Sequence, residues 1–369
     1  MRFLPRTAIA ILALLCVATR AQQVHVSNPD ASFLDVSARR SELKDATSAR
    51  ILAALKELKP CNAAGAPPPH GKMYIPDRYL SGGHGATNIQ EHDASQPYYA
   101  VQNEAAHGAN SFLVTGDPAQ ARCVLDVIDA WAQAKALLDY NATDDPTPTF
   151  AEVGWTAASL ALAYSVIEQE PSLDSRKKAN SVKWLREVAH RMQSGYHRGD
   201  APANKNNLSY WRGLAATAVG VISSDDELFK WGLEQYTRAI GQLDDAGAWP
   251  LEMSRSELAI HYQSFALEPL VMIAELASRQ GIDLYAYSSH GHTLKDAVLF
   301  VTAAVHDPTH AQKLSESVQN IGADQQDFFS WLEFWNRRFG DAGAADYLNR
   351  PWFAARLSGS TTLYAAPPN

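Results

Sequence analysis

Apolar residues recur at helical spacing along most of the chain. One set follows Ser224 at steps of four and three: Phe229, Leu233, Tyr236, Ile240 and Leu243. This spacing puts the apolar side chains on one face of an α-helix. Ser224 and Glu227 stand three apart at its start, as in a capping box. The pattern predicts an amphipathic helix after Ser224.

Further stripes of the same period predict helices over 49–58, 119–138, 156–168 and 182–192. Pro269 stands just before the apolar run 270–276, and its fixed φ suits the first turn of a helix. We find no regular alternation of strands with helices and no Gly-rich nucleotide turn, which argues against a parallel doubly wound sheet. The expected fold is all-α, built of helical hairpins.

Two irregular stretches interrupt the helical pattern. Residues 66–71 read Ala-Pro-Pro-Pro-His-Gly and cannot be helical. Residues 79–85 read Tyr-Leu-Ser-Gly-Gly-His-Gly, a flexible loop. On composition alone, this loop is as compatible with a plain surface turn as with a lid over a site.

The first residues have the features of a secretory leader. Arg2 and Arg6 precede an apolar run over 8–17, and small residues lead to Ala21. We expect a signal peptide over 1–21 and a single domain over 22–369, in the periplasm or outside the cell. No other apolar run is long enough for a membrane span.

Cysteine usage agrees with an oxidising compartment. Loss of the leader removes Cys16 and leaves Cys61 and Cys123, for which we predict a disulfide. Two separate buried thiols are the alternative, and metal binding is disfavoured because the pair lacks CxxC spacing.

Charge limits the possible partners. Three of the 32 basic residues lie in the leader, so the remaining 29, against 40 acidic residues, give a net charge of −11. Nucleic acid is a poor partner for that field. An anionic polysaccharide would also be repelled at long range, so such a substrate requires locally clustered arginines.

Arg255 and Tyr262 form one candidate for chemistry. On a continuous helix, residues seven apart share a face. A tyrosine with an unperturbed pKa of about 10 can act as a base near neutral pH only if a cation favours its phenolate. Taken alone, an arginine and a tyrosine at this spacing are more often a packing pair.

Neighbouring sequence gives this pair more meaning. Leu251-Glu252-Met253-Ser254-Arg255, then Tyr262 and the run 265–270, resemble a block of the alginate lyases that cleave polymannuronate by β-elimination. Residues 206–211 (Asn-Asn-Leu-Ser-Tyr-Trp) are similar to the family's Asn-Asn-His-Ser-Tyr-Trp block. The resemblance implies that Tyr262 is the catalytic tyrosine, activated by Arg255. It also implies that Asn207 neutralises the substrate carboxylate, and that Tyr210 and Trp211 bind sugar, with Trp211 as the stacking platform.

Other blocks extend the resemblance over most of the mature chain. Arg78 and Tyr79, with the glycines after them, are similar to the family's lid, and Arg356 matches an arginine that binds a substrate carboxylate. Residues 116–132 and 330–333 match two further helical segments. The resemblance implies a monomeric, incomplete (α/α) toroid that binds an anionic polysaccharide without inserting into membrane. No metal or organic cofactor is obligatory for this chemistry.

Leu208 departs from the family pattern, because it stands where the family has its catalytic histidine. His84 in the Gly-rich loop is our preferred replacement, with His107 and His261 as alternatives. In mannuronate and glucuronate the C5 proton and the C4 oxygen lie on the same side of the ring, so one tyrosine can serve as base and then acid. In guluronate they lie on opposite sides, so loss of the histidine affects guluronate most.

The substrate and even the activity have alternatives at this stage. Polymannuronate and a glucuronate-rich polymer such as glucuronan are comparable candidates. The chain could instead be a non-catalytic polyuronate-binding protein that lost an essential group at Leu208. A hydrolase would need two carboxylates across the groove, for which Glu252, Glu268 and Glu333 are available.

Overall fold

The computed structural model describes residues 24–80, 85–141, 147–196 and 202–369. The expected leader and His84 lie outside these ranges. Within them, the chain forms helices with the following bounds: α1 Val36–Lys44, α2 Ala49–Lys56, α3 Ile89–Thr115, α4 Pro118–Gln133, α5 Thr147–Ile167, α6 Ser175–Tyr196, α7 Asn207–Ser223, α8 Asp226–Ile240, α9 Pro250–Met253, α10 Ala259–Arg279, α11 Leu294–His306, α12 Thr309–Ser315, α13 Leu332–Phe339 and α14 Thr361–Ala365. The same residues form only isolated β-bridges, such as Met73 with Tyr140.

The helices form two layers. Helices α3, α5, α7 and α10 pack side by side in that order, and α4, α6, α8 and α11 pack against them from outside. Each outer helix returns the chain, so the inner helices run in the same direction and their N-terminal ends meet on one side. This arrangement is an incomplete (α/α) toroid, which confirms the expected all-α fold.

The burial of each layer follows its sequence. Outer helix α8 has the predicted apolar stripe, with Phe229, Leu233, Tyr236 and Ile240 all buried. Inner helix α5 is apolar on all sides, because neighbours cover it on all sides. Contrary to the expectation that no run after the leader is long enough for a membrane span, its segment Pro148–Ile167 is long and apolar enough to cross a membrane, but 94% of the most apolar stretch is buried inside the protein. This segment is therefore a core helix.

Close packing of α7 on α8 depends on glycine. A Cβ atom added to Gly232 would lie 2.1 Å from the Thr217 hydroxyl and 2.7 Å from the Gly213 carbonyl oxygen. Those distances are far shorter than van der Waals contact. The two backbones can approach this closely only because position 232 has no side chain.

Several helix bounds differ from the sequence prediction: α4 ends at Gln133 and not at 138, and α5 begins at Thr147 and not at 156. Ser224 does not cap α8; it ends α7 in a left-handed conformation with φ of 52°. Asp225 caps α8, and its carboxylate accepts a hydrogen bond from the Leu228 N–H at 3.1 Å. Pro269 lies inside α10 and not in its first turn. The residues around Pro269 are fully buried, and their packing maintains the helix despite the missing N–H group.

Cys61 and Cys123 form the predicted disulfide. The bond joins the segment before α3 to the first half of α4. It therefore ties the irregular N-terminal region to the outer layer.

Candidate active site

A cavity of about 320 Å³ lies where the inner helices begin. Residues near the start of all four contribute to its wall: Glu91 of α3, Pro148, Ala151 and Trp155 of α5, Asn207 and Leu208 of α7, and His261, Tyr262 and Phe265 of α10. Loops complete the wall with Asp77, Arg78, Tyr79, Arg255, Gln325, Asp327 and Arg356. The fold thus brings together residues separated by up to 279 positions, from Asp77 to Arg356.

The electrostatics of the cavity differ from those of the whole chain. Arg78, Arg255 and Arg356 line it, and the positive ends of four helix dipoles point toward it. Three carboxylates in the same wall, those of Asp77, Glu91 and Asp327, oppose these charges. The side-chain charges of the wall therefore balance in number, and the arginines and helix ends provide local groups that can bind an anion despite the net charge of −8 of the full chain.

Tyr262 lies at the centre of this arrangement. Its hydroxyl is 3.0 Å from the hydroxyl of Tyr79, and the guanidinium carbon of Arg255 lies 3.9 Å from the centre of its ring. Burial raises the pKa of Tyr262 above its usual range, whereas the charge of Arg255 lowers it. The net direction is upward, so Tyr262 is a neutral phenol in the unliganded site near neutral pH.

Arg255 reaches Tyr262 in a different way from the sequence prediction. The two residues do not share a continuous helix. Arg255 lies in the turn after α9, before a 3₁₀ helix over Ser256–Leu258, and α10 begins only at Ala259. This turn, and not a shared helix face, brings the guanidinium to the face of the ring.

Asn207 is the first residue of α7. Asn206 caps that helix and accepts a hydrogen bond from the Leu208 N–H at 3.1 Å. The carboxylate of Glu252, which is fully buried, accepts bonds from the Asn207 backbone N–H at 2.6 Å and from Nδ2 at 2.9 Å. Burial raises the pKa of Glu252 to about 7, against the opposing effects of the Asn207 bonds and of Arg255.

Among the candidate histidines, His261 is the one that reaches this cavity within the described residues. Its ring is stacked at 6.3 Å on Phe265, and Nδ1 is buried without a hydrogen-bond partner. Burial lowers the pKa of His261 to about 4, although Asp327 opposes this effect. The ring is therefore neutral near pH 7. His107 instead packs on Phe353 at 5.6 Å, away from the cavity wall.

Tyr210 and Trp211 do not line the cavity, contrary to the expectation that they bind sugar. Each is 1% exposed. They lie one turn further along α7, below the cavity floor, where Trp211 packs on Phe265 at 5.1 Å. The Tyr210 hydroxyl donates to the Gln242 side chain at 2.8 Å. Both are core residues.

Trp155 is the aromatic residue that sequence analysis missed. It lines the cavity, and the guanidinium carbon of Arg356 lies 4.3 Å from its ring. Arg356 also stands 3.9 Å from the Asp327 carboxylate. Trp155 directly precedes the stripe predicted for 156–168, so an earlier start for that helix would have drawn attention to it.

None of the three glutamates considered for hydrolysis lines the cavity. Glu252 bonds to Asn207 behind the wall. Glu268 is buried within α10, and Glu333 bonds to Arg50 and Thr362 elsewhere in the core. These positions do not support a two-carboxylate hydrolase.

Comparisons with known proteins give a consistent result. The family model described as alginate lyase matches residues 36–311. A polysaccharide lyase of Stenotrophomonas maltophilia (strain K279a) is 32% identical over 285 residues, which cover 76% of this chain and 82% of that protein. An alginate lyase of Pseudomonas putida is 32% identical over 265 residues, with coverage of 69% and 70%.

Solved structures agree with these sequence matches. Alginate lyase A1-III from Sphingomonas species A1 superposes with a TM-score of 0.85 at 40% identity, over 93% of this chain and 97% of that one. A histidine-to-alanine variant of alginate lyase A1-III, complexed with a tetrasaccharide, gives a TM-score of 0.86 at 39% identity, with coverage of 94% and 98%.

Proposed function

The chain belongs to the alginate lyase family and is a polysaccharide lyase, and we propose that it cleaves a polyuronate by β-elimination with Tyr262 as the proton-transfer group. The observation that carries this proposal is the position of the Tyr262 hydroxyl. This hydroxyl lies in an arginine-lined cavity and is hydrogen-bonded to the Tyr79 hydroxyl. The guanidinium of Arg255 lies over the Tyr262 ring. The lyase assignment also speaks against a non-catalytic binding protein.

The first step of β-elimination removes the C5 proton beside a carboxylate, and extra negative charge develops on that carboxylate. Neutral or cationic donors must stabilise it. Three cavity residues can provide such donors, namely Asn207 through a side-chain N–H, His261 through its neutral ring N–H, and Arg356 through its guanidinium. Their positions in one wall support this role. His261, rather than His84, is our proposed substitute for the family's histidine as a donor to the substrate carboxylate, and not as a second proton-transfer group.

Tyr262 then serves both proton transfers of the reaction. Its phenolate takes the C5 proton, and the resulting phenol donates to the C4 oxygen as the glycosidic bond breaks. The raised pKa of Tyr262 favours donation of the proton to the C4 oxygen and disfavours removal of the proton from C5. Catalysis by this route therefore increases with pH, because a larger fraction of Tyr262 is then phenolate. The charge of Arg255 favours the phenolate.

Stereochemistry selects the substrate. A single tyrosine can perform both transfers only where the C5 proton and the C4 oxygen lie on the same side of the ring, as in mannuronate and glucuronate. Leu208 provides no second proton-transfer group for guluronate. Relatives named as alginate lyases support an alginate substrate, in which the mannuronate blocks meet this stereochemical requirement, and glucuronan meets the same requirement.

We also propose that the protein is exported and acts as a single-domain monomer. The disulfide between Cys61 and Cys123 supports export, because such bonds persist in oxidising compartments. The expected leader over 1–21 agrees with this location.

Ultraviolet absorbance of the C4–C5 double bond tests the proposed reaction. The protein is incubated separately with polymannuronate, polyglucuronate and polyguluronate. A rise with either of the first two, and little with the third, is the expected result. Chain shortening without absorbance would indicate hydrolysis and contradict the proposal, and faster cleavage of polyguluronate would contradict the syn route.

A further inference from the structure

Glu252 lies behind the active-site wall, where it contacts Asn207 and not the cavity. Its carboxylate is fully buried and accepts two hydrogen bonds from Asn207, one from the backbone N–H at 2.6 Å and one from Nδ2 at 2.9 Å. The two residues are 45 positions apart, and each lies in or next to the first turn of its helix. A single carboxylate thus fixes the backbone and the side chain of Asn207 together.

An ionised carboxylate only accepts hydrogen bonds. It therefore forces the NH₂ end of the Asn207 amide toward Glu252 and excludes the opposite orientation. One N–H of that group remains for a ligand, and Oδ1 has no partner in the protein. In the inverted orientation the amide oxygen would replace the nitrogen, and Asn207 could no longer be held by both bonds.

We propose that Glu252 is a positioning residue, which in its ionised form holds Asn207 in the orientation that donates to the substrate carboxylate. This inference rests on the proposed role of Asn207 in β-elimination. A protonated Glu252 carries an O–H group, which can donate to Oδ1 and stabilise the inverted amide. Glu252 therefore makes the site sensitive to pH through Asn207.

Other groups support this assignment. Arg255 is the charged residue that acts on Glu252, and it favours the ionised form. Burial opposes ionisation and brings the pKa of Glu252 to about 7. Deprotonation of Glu252 and deprotonation of Tyr262 are then both required for activity. Below about pH 7 the logarithm of kcat/KM should rise with a slope near two, and above it with a slope near one.

The variant Glu252→Gln has nearly the same shape but cannot accept both bonds. We expect kcat/KM on polymannuronate to fall about 10- to 100-fold at pH 8, mostly in kcat, because misplacing a catalytic group costs on that order. In this variant, the slope of log kcat/KM against pH below about pH 7 should be near one, where the wild type has a slope near two. Glu168→Gln is the matched control, since burial also raises the pKa of Glu168 to about 7, and it follows α5 at the end remote from Trp155. Its pH profile should equal that of the wild type.

A double-mutant cycle distinguishes positioning from general support of the fold. In an Asn207→Ala background, Glu252→Gln should change kcat/KM less than about threefold, because the group that it orients is gone. If the losses of kcat/KM in Glu252→Gln and Asn207→Ala are fully additive in the double variant, and circular dichroism shows that these variants are folded, the inference is overturned.

Nuclear magnetic resonance provides a readout that does not need turnover. The side-chain amide signal of Asn207, assigned by its loss in Asn207→Ala, should titrate near pH 7 in the wild type and not in Glu252→Gln. An Asn207 signal that is unchanged from pH 5 to 9, or that titrates equally in both proteins, contradicts the role of Glu252. If the wild type forms no unsaturated product from any polymer, the proposed function fails, and this titration still decides the inference.

Discussion

Arg255→Gln tests how strongly the protein tunes Tyr262. The guanidinium carbon lies 3.9 Å from the ring centre, and Tyr262 is 9% exposed. With the charge roughly 5 Å from the phenolate oxygen and an effective dielectric constant of about 20, Coulomb's law gives about 3 kcal/mol. This energy corresponds to a roughly 150-fold change in the phenolate population at a given pH. Loss of the charge should therefore reduce kcat/KM by about two orders of magnitude near pH 7.

The assay follows the formation of the double bond in ultraviolet light from pH 6 to 10. The value of kcat/KM for Arg255→Gln should stay below that of the wild type at every pH at which Tyr262 is mostly protonated. The rise of kcat/KM with pH should therefore occur at higher pH in the variant than in the wild type. Arg338→Gln is a control, because Arg338 stacks on Tyr285 at 4.9 Å outside the cavity. A small loss of kcat/KM in Arg255→Gln would refute the electrostatic reasoning. So would a loss that comes only from a higher KM, with an unshifted pH profile of activity.

Three further predictions concern other parts of the molecule. Leu208→His should increase cleavage of polyguluronate relative to polymannuronate, measured as the ratio of initial rates, because it adds a second proton-transfer group; an unchanged ratio argues against this. Replacing Cys61 and Cys123 with serine opens a loop with a sequence separation of 62. The free energy of unfolding, measured in urea, should fall by about 4 kcal/mol. The catalytic rate of the folded protein should not change. Gly232→Ala, whose Cβ would lie 2.1 Å from the Thr217 hydroxyl, should lower that free energy by about 1–3 kcal/mol, and unchanged stability would show that α7 and α8 can separate there.

The sequence predicted the helices because each amphipathic stripe depends on local spacing. It was less accurate at helix ends, where local signals compete. Ser224 and Asp225 both suit a cap, and only the geometry of the α7–α8 turn assigns Ser224 to the end of one helix and Asp225 to the start of the next. Pro269 resembled a helix start, but the buried packing of α10 accommodates it.

The candidate site was predictable where family motifs marked it. Asn207, Arg255, Tyr262 and Arg356 do lie in one cavity wall, and their catalytic roles stay predictions. Depth along a helix was not predictable, because Asn207 and Trp211 share a face while only Asn207 reaches the cavity.

Contacts between site residues on separate elements were also not predictable from the sequence. Glu252 meets Asn207 across 45 positions, and Trp155 meets Arg356 across the toroid. No local spacing connects the members of these pairs. Glu252 lies in α9 and Arg356 in a 3₁₀ helix over Ala355–Leu357, so it is the packing of these short elements against the inner helices that brings the pairs together.

The most direct test of the proposed mechanism is Tyr262→Phe, compared with Tyr347→Phe, which alters a tyrosine that packs on Phe329 outside the cavity. Initial rates on polymannuronate and on polyglucuronate are measured together with calorimetric binding of a uronate tetrasaccharide. For Tyr262→Phe we predict a loss of turnover of about 10²- to 10⁴-fold with binding nearly unchanged, and for Tyr347→Phe we predict wild-type rates. Turnover by Tyr262→Phe within about tenfold of the wild type would contradict the assignment of Tyr262 as the proton-transfer group.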